Sequence, residues 1–313
     1  MAEGILTKPY VVVIGAAGID SKGKANASFV PGSSVPGTVR VSVGGVARNV
    51  ADNLSRLGVR AVLLSAIGND GSGKRILNNA AEVGIDTDYM IISTEYHTAA
   101  YLALLDEKAN LVMSVDDMEI LTAITPQVIS RWRSLIKNAE LVFIDSNLSE
   151  DTIIALVKVA RRYKVPICAD PTSTTLATRL LPHLRHIYMI TPNLVEAEIL
   201  SGKSIRDAQE AIAAARVLVN AGVKIVVITL AEEGLVYATA SDSGHLPAVV
   251  TEVIDSTGAS DALTATIVFG LLNHIPTDEA VRLGASAAAL TLACTDTVCP
   301  DLSLELLYDQ LLI

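Results

Sequence analysis

From residue 126 to residue 230 the chain alternates two patterns. Apolar runs at 140–145, 165–170, 187–191 and 224–230 are separated by amphipathic stretches at 126–137, 149–163, 194–200 and 205–221. The runs lack the polar alternation of a half-exposed strand, so they read as strands covered on both faces. Strand, helix, strand repetition of this kind predicts a parallel sheet with helices packed on each side. Tyr10 to Gly15 and Ala61 to Ile67 are further apolar strands. Half of the residues are apolar but only 4% are aromatic, an excess of Ala, Val, Leu and Ile that suits such a sheet. Strands at 234–239 and 248–253 are expected at the sheet edge, and helices at 259–273, 277–293 and 303–312 close the chain. The expected architecture is a three-layer, doubly wound, mostly parallel α/β sheet, with residues 1–313 forming one domain.

One part breaks the pattern. Val39 to Val43 alternates, and Thr98 to Leu105 and Asn110 to Val115 flank Asp106-Glu-Lys-Ala as a hairpin, with no helices between them. These strands predict a small antiparallel sheet, built from segments at about 20–44 and 96–117. Such a flap can cover a ligand or pair with a second subunit through its exposed edge.

Two glycine-rich stretches are near misses. Gly15-Ala-Ala-Gly18 follows the first strand, but a dinucleotide-binding turn needs three glycines and then a helix, and Ser21 to Thr38 is not helical. Gly68-Asn-Asp-Gly-Ser-Gly73-Lys74-Arg75 almost satisfies the P-loop pattern, yet Arg75 stands where Ser or Thr must reach a metal. A tight turn and a solvated helix start is the plainer reading.

The chemistry concentrates at Asp255-Ser-Thr-Gly-Ala-Ser-Asp261. Gly258 lets the chain bend, Thr257 and Ser260 are candidate caps, and the amides from Gly258 through Ala259 and Ser260 to Asp261 open a helix. Such amides have no intrahelical partner and form an anion site suited to phosphate. A carboxylate there repels phosphate unless its charge is used. Asp261 therefore reads either as a general base that takes a proton from an attacking hydroxyl, or as an acid favoured in a first helical turn. Other polar residues lie where ligands bind in open α/β sheets, beyond the carboxyl ends of strands. Asp20 and Asn147 are two of them. Asn49 opens a helix after the pair Gly44-Gly45. Thr191-Pro-Asn193-Leu-Val-Glu196 follows another strand, and Glu196 either holds magnesium through water or pairs with the helix dipole.

Taken together, Gly44-Gly45 with Asn49, Asn193-x-x-Glu196, and Asp255-x-Thr-Gly-Ala-x-Asp261 resemble the ribokinase-like (PfkB) carbohydrate and nucleoside kinases over essentially the whole chain. The resemblance implies a small β-lid and ATP-dependent phosphorylation of a sugar primary hydroxyl. It implies that Asp261 is the base and that the 258–261 amides form the anion hole. Asn193 and Glu196 would order magnesium and phosphate, and Thr229, Gly234, Thr257 and Gly258 would lie along the nucleotide. Asp20, Gly44, Gly45, Asn49 and Asn147 would hold the sugar. Asp255 and Thr257, with the loop from Cys294 to Cys299, would lie where family members bind a monovalent cation such as potassium. Within the family, residues 44–54, 101–106, Asp116-Asp117-Met118 and Pro300-Asp-Leu-Ser303 resemble the branch acting on pseudouridine; other nucleosides and sugars are the alternatives. Val46 stands where ribokinase has a lysine, which argues against free ribose. Ser260 stands where the family has glycine. If that backbone needs positive φ, Ser costs on the order of 1 kcal/mol.

The net charge of −10 gives no reason to expect nucleic acid or an anionic membrane as partner. No apolar run reaches the roughly 18 residues of a membrane span, and the first residues lack the apolar core of a signal peptide. Cys168, Cys294 and Cys299 lack metal-ligand spacing and read as reduced core thiols. The expectation is a cytoplasmic enzyme, homodimeric through its lid.

Overall fold

The computed structural model describes residues 9–311. The signal-peptide reading of the first residues and the last residue of the terminal helix lie outside them. In chain order the strands begin with β1 (Tyr10–Ile14), β2 (Gly18–Ala25), β3 (Gly37–Gly44), β4 (Arg60–Leu64) and β5 (Ala66–Gly68). Next come β6 (Ile91–Ser93), β7 (Ala99–Leu105), β8 (Leu111–Asp117), β9 (Leu141–Asp145) and β10 (Ile167–Asp170). The last are β11 (Met189–Ile190), β12 (Ile225–Thr229), β13 (Leu235–Ala238) and β14 (Ser243–Leu246).

Among the described residues the main sheet has eight strands in the order β14-β13-β12-β11-β10-β9-β1-β4. Pairing is parallel from β12 through to β4 and antiparallel at β13 and β14. All five residues of β1 are buried. Its alternate side chains enter different layers: Tyr10, Val12 and Ile14 join one apolar cluster, Val11 and Val13 the other. An unbroken apolar run is what such two-sided burial requires.

Helix Ala259–Leu272 is buried over ten consecutive residues, Asp261 to Gly270. Small residues let neighbouring helix Thr277–Leu292 approach closely, and a Cβ at Gly284 would press on Leu263 and Ile267. Buried Thr264 donates its hydroxyl hydrogen to Thr191 at 2.9 Å, tying the helix to the end of β11. No described helix is long and apolar enough to cross a membrane.

The smaller sheet, order β3-β2-β7-β8, differs from expectation. Gly18–Ala25 is its central strand, and β2 pairs with β7 in parallel, so the sheet is mixed rather than antiparallel. The segment's glycines and lysines conceal the strand, because β2 gains its pairing from both neighbours and not from its own apolar pattern. Register places Val41, Leu102 and Val115 in one row, and Val39, Leu104 and Met113 in another, on one face. Asp20, Lys22 and Tyr101 lie on the opposite face. At the edge of the main sheet, β14 lies at Ser243–Leu246, while 248–253 is irregular. The hairpin turn between β13 and β14 fixes the pairing before the apolar residues at 248–250 are reached. Helix 126–137 is interrupted at Trp132, giving Pro126–Arg131 and Arg133–Lys137.

Candidate active site

Helix Ala259–Leu272 begins with Gly258 as N-cap at φ +86°, and among the described residues no side chain takes its first amides. Neither Thr257 nor Ser260 caps it, against expectation. The reason is backbone geometry: the chain enters the helix through the left-handed region, which glycine tolerates. A Cβ at Gly258 would collide with the carbonyl oxygen of Thr297. Ala259 and Ser260 are the first helical residues, and Ser260 is exposed with φ outside the positive region. The penalty considered for Ser260 therefore does not arise.

Asp261, one turn in, is 7% exposed. Asn49 Nδ2 donates to its Oδ2 at 2.8 Å. Burial pushes the Asp261 carboxyl up to about 7; the Asn49 hydrogen bond opposes this, and the charges of Asp145 and Asp20 add to it. Such a group changes protonation near neutral pH, as a general base must. Asn49 is held by helix Val46–Arg56, which starts at Gly45 with φ +97°. A Cβ on Gly45 would strike the Ala16 carbonyl, and one on Gly44 the Asp20 carboxylate, so the glycine pair makes room for β1's exit and for Asp20. Asp20 itself is buried, and burial raises its carboxyl against the pull of Lys22 and Arg48.

Two acids at strand ends were not singled out in the sequence. Asp145, last in β9, is fully buried and accepts from the Ala16 amide at 2.7 Å, the Ala47 amide at 3.2 Å, and both the backbone and side-chain nitrogens of Asn147 at 3.0 Å. Asn147 is thus positioned by Asp145. Gly15 is glycine because the Asp145 carboxyl fills the place of a side chain. Asp170, last in β10, is raised well above its ordinary value by burial and by the charges of Asp261 and Glu196. The signal available was position: each ends an apolar run at the carboxyl edge of the sheet.

Asn193 and Glu196 satisfy each other as a capping box, Glu196 N to Asn193 Oδ1 at 3.0 Å and Asn193 N to Glu196 Oε2 at 2.9 Å. Glu196 is 4% exposed, and burial raises its carboxyl. Its charge helps raise the Asp170 carboxyl, and a hydrated cation beside the pair would favour the ionised form of both. Among the described residues no three His, Cys, Asp or Glu side chains converge to cage a metal directly. Magnesium held through water and phosphate oxygens fits; a protein cage does not. Thr229 ends β12, where its amide donates to Pro192 O at 3.1 Å beside Asn193. Gly234, at φ +89°, turns the chain from β12 into β13.

Asp255 and Thr257 meet an unforeseen partner. Lys22 Nζ donates to Asp255 Oδ1 at 2.7 Å and Oδ2 at 2.6 Å, and to the Thr257 hydroxyl. The three cysteines are free thiols, with Cys168 and Cys299 buried and Cys294 only half-buried.

The family profile of pfkB family carbohydrate kinases matches residues 8–302. The chain belongs to the PfkB family. Over 298 residues it is 33% identical to a pseudouridine kinase of Escherichia coli (strain K12), covering 95% of each chain. It is 27% identical to a guanosine-inosine kinase of Exiguobacterium acetylicum, covering 91% of this chain and 95% of that one. Among solved structures, a carbohydrate kinase from Agrobacterium tumefaciens superposes with TM-score 0.83 at 29% identity, covering 97% of each chain. Arabidopsis thaliana ribokinase, complexed with ribose and ATP, shares the fold with TM-score 0.85 at 20% identity, covering 98% of this chain and all of that one. The PfkB assignment makes the protein a phosphotransferase with an alcohol acceptor.

Proposed function

We propose that this PfkB kinase transfers phosphate from ATP to the 5′-hydroxyl of pseudouridine, giving pseudouridine 5′-phosphate and ADP. The observation that carries the chemistry is Asp261, buried and raised to about 7 beside helix amides that no described side chain claims. In its ionised form Asp261 accepts the hydroxyl proton, and Asn49 holds the carboxylate in place. The amides from Gly258 to Asp261 stabilise charge on the transferring phosphoryl group. Asp20, Gly44, Gly45, Asn49 and Asn147 bind the sugar, with Asp145 positioning Asn147. Thr229, Gly234, Thr257 and Gly258 flank the nucleotide. Asn193 and Glu196 hold magnesium through water, and magnesium when bound screens phosphate charge.

The smaller sheet is the lid, contributed by segments near 20–44 and 96–117 of a single kinase domain. Its site-facing side carries Asp20 and Lys22. Val39 at 73% exposure and Val115 at 66% lie on the other side, which supports a homodimer formed through the lid. Sedimentation at micromolar protein would give twice the chain mass, and Val41→Asp would halve it. A monomeric wild type would remove this reading.

For the acceptor, the support is the identity with pseudouridine kinase across both chains. ADP release should be measured with pseudouridine, uridine, inosine, guanosine, adenosine and ribose. Turnover confined to pseudouridine is the expected result. Turnover on inosine and guanosine instead would move the substrate to another branch. Binding without ADP formation would make the protein a nucleoside sensor.

A further inference from the structure

We infer that the Lys22 ammonium is a built-in replacement for the monovalent cation that family resemblance places at Asp255 and Thr257. Its three N–H groups meet three oxygens: both carboxylate oxygens of Asp255 and the Thr257 hydroxyl. An ammonium offers just three donors, so the group is satisfied. The ion pair is largely withdrawn from water, with 13% of the Lys22 side chain and 21% of Asp255 exposed. A potassium ion on the same oxygens would sit against a like charge.

The pairing also has mechanical content. The turn is fixed from behind, where the Ile254 and Asp255 amides donate to Leu292 O at 2.8 and 3.3 Å, and from within, where Thr257 N donates to Asp255 Oδ1 at 2.9 Å. Lys22 fixes it from the front and comes from the other sheet. It stands two residues from Asp20 on the same face of β2. The strand that presents Asp20 to a ligand therefore also delivers the charge that orders the turn ahead of the 258–261 amides. Lys22 is a positioning residue, and its tether makes lid placement and anion-hole order one event. This role rests on the kinase reading above; the occupation of the cation site does not.

The test compares wild type, Lys22→Ala and Lys22→Met at constant ionic strength, with tetramethylammonium chloride replaced stepwise by potassium or ammonium chloride. Wild-type turnover and melting temperature should not respond to potassium. Lys22→Ala should lose roughly tenfold or more in turnover, the size of an ordinary coupling between sites, and recover with potassium or ammonium. Its melting temperature should rise with potassium, while Lys22→Met, whose stem fills the space without charge, should recover less. Rubidium soaked into crystals should bind at Asp255 in Lys22→Ala and not in wild type. Potassium stimulation of the wild type would overturn the inference. So would a Lys22→Ala variant that neither recovers nor gains stability with any cation, which would point to a direct phosphate contact. If no acceptor supports turnover, the kinase reading fails, while melting and rubidium binding still decide whether the lysine holds the cation site. Should Lys22→Ala not fold, the wild-type potassium titration and rubidium soak carry the test.

Discussion

Two of the helices that follow glycine-containing turns treat their first amides in opposite ways. At Gly71–Val83, Asp70 is the N-cap: its Oδ1 accepts from the Gly73 amide at 2.8 Å and from the Thr98 hydroxyl at 2.7 Å, and its Oδ2 from the Thr98 amide at 2.9 Å. The carboxylate occupies the place a phosphate would need. Burial opposes its charge, yet these bonds hold the Asp70 carboxyl below its ordinary value. At Ala259–Leu272 the cap is a glycine, no side chain reaches back, and the nearby acid is turned inward onto Asn49. A Gly-rich loop ahead of a helix is thus insufficient for anion binding. The donors must be left unclaimed, and the first turn resembles a P-loop only as a string of letters.

The contrast can be broken most directly at Asp261. Asp261→Asn should lower turnover by about 10²–10⁴, the worth of a positioned base, with nucleoside affinity retained. It should also stabilise the fold. A raised carboxyl contributes its stability below the unfolded value of about 4 and loses it as pH rises through the folded value near 7. The gain in melting temperature for Asp261→Asn should therefore be larger at pH 8 than at pH 5. Near-normal turnover in this variant would return Asp261 to the status of an ordinary first-turn acid.

Next in size is Gly258→Ala. Positive φ costs a non-glycine residue roughly 1–2 kcal/mol, and the collision with Thr297 adds to it. Displacing one anion-hole donor should cost turnover about 10²-fold. Urea denaturation and steady-state kinetics would separate the two effects, and wild-type values for both would mean that the turn has another way to close. The smallest effect belongs to the decoy. Asp70→Ala should cost about 1 kcal/mol, the usual worth of an N-cap, and leave turnover unchanged. A kinetic collapse there would show that the first turn holds nucleotide after all.

How far the sequence could be read followed how local each signal was. Continuous apolar runs identified β1, β9, β10, β11 and β12 because burial on both faces leaves no other composition. The Asp255–Asp261 heptapeptide disclosed its helix, its glycine and its acid. β2 stayed hidden because Gly18–Ala25 is held by partners at Gly37–Gly44 and Ala99–Leu105. Asp145 and Asp170 looked like the polar ends of strands; only the fold brings Asp145 close enough to raise the Asp261 carboxyl, and Asp170 close enough to feel the charge of Asp261. Lys22 was silent for the same reason, since its partners lie more than 230 residues further on.

That spread along the chain bears on biogenesis. Asp20, Asn49, Asp145 and Asp261 arrive at one place only after β1 has found β4 on one side and β9 on the other. During synthesis, a chain that has left the ribosome only as far as Asn147 holds the proposed sugar-side residues but neither the proposed base nor the amides of the Gly258 turn. Pairing over such separations is slow compared with helix formation. On the proposed roles, the nascent protein stays catalytically silent until the segment carrying Gly258 to Asp261 emerges, and a product truncated before it would bind without phosphorylating.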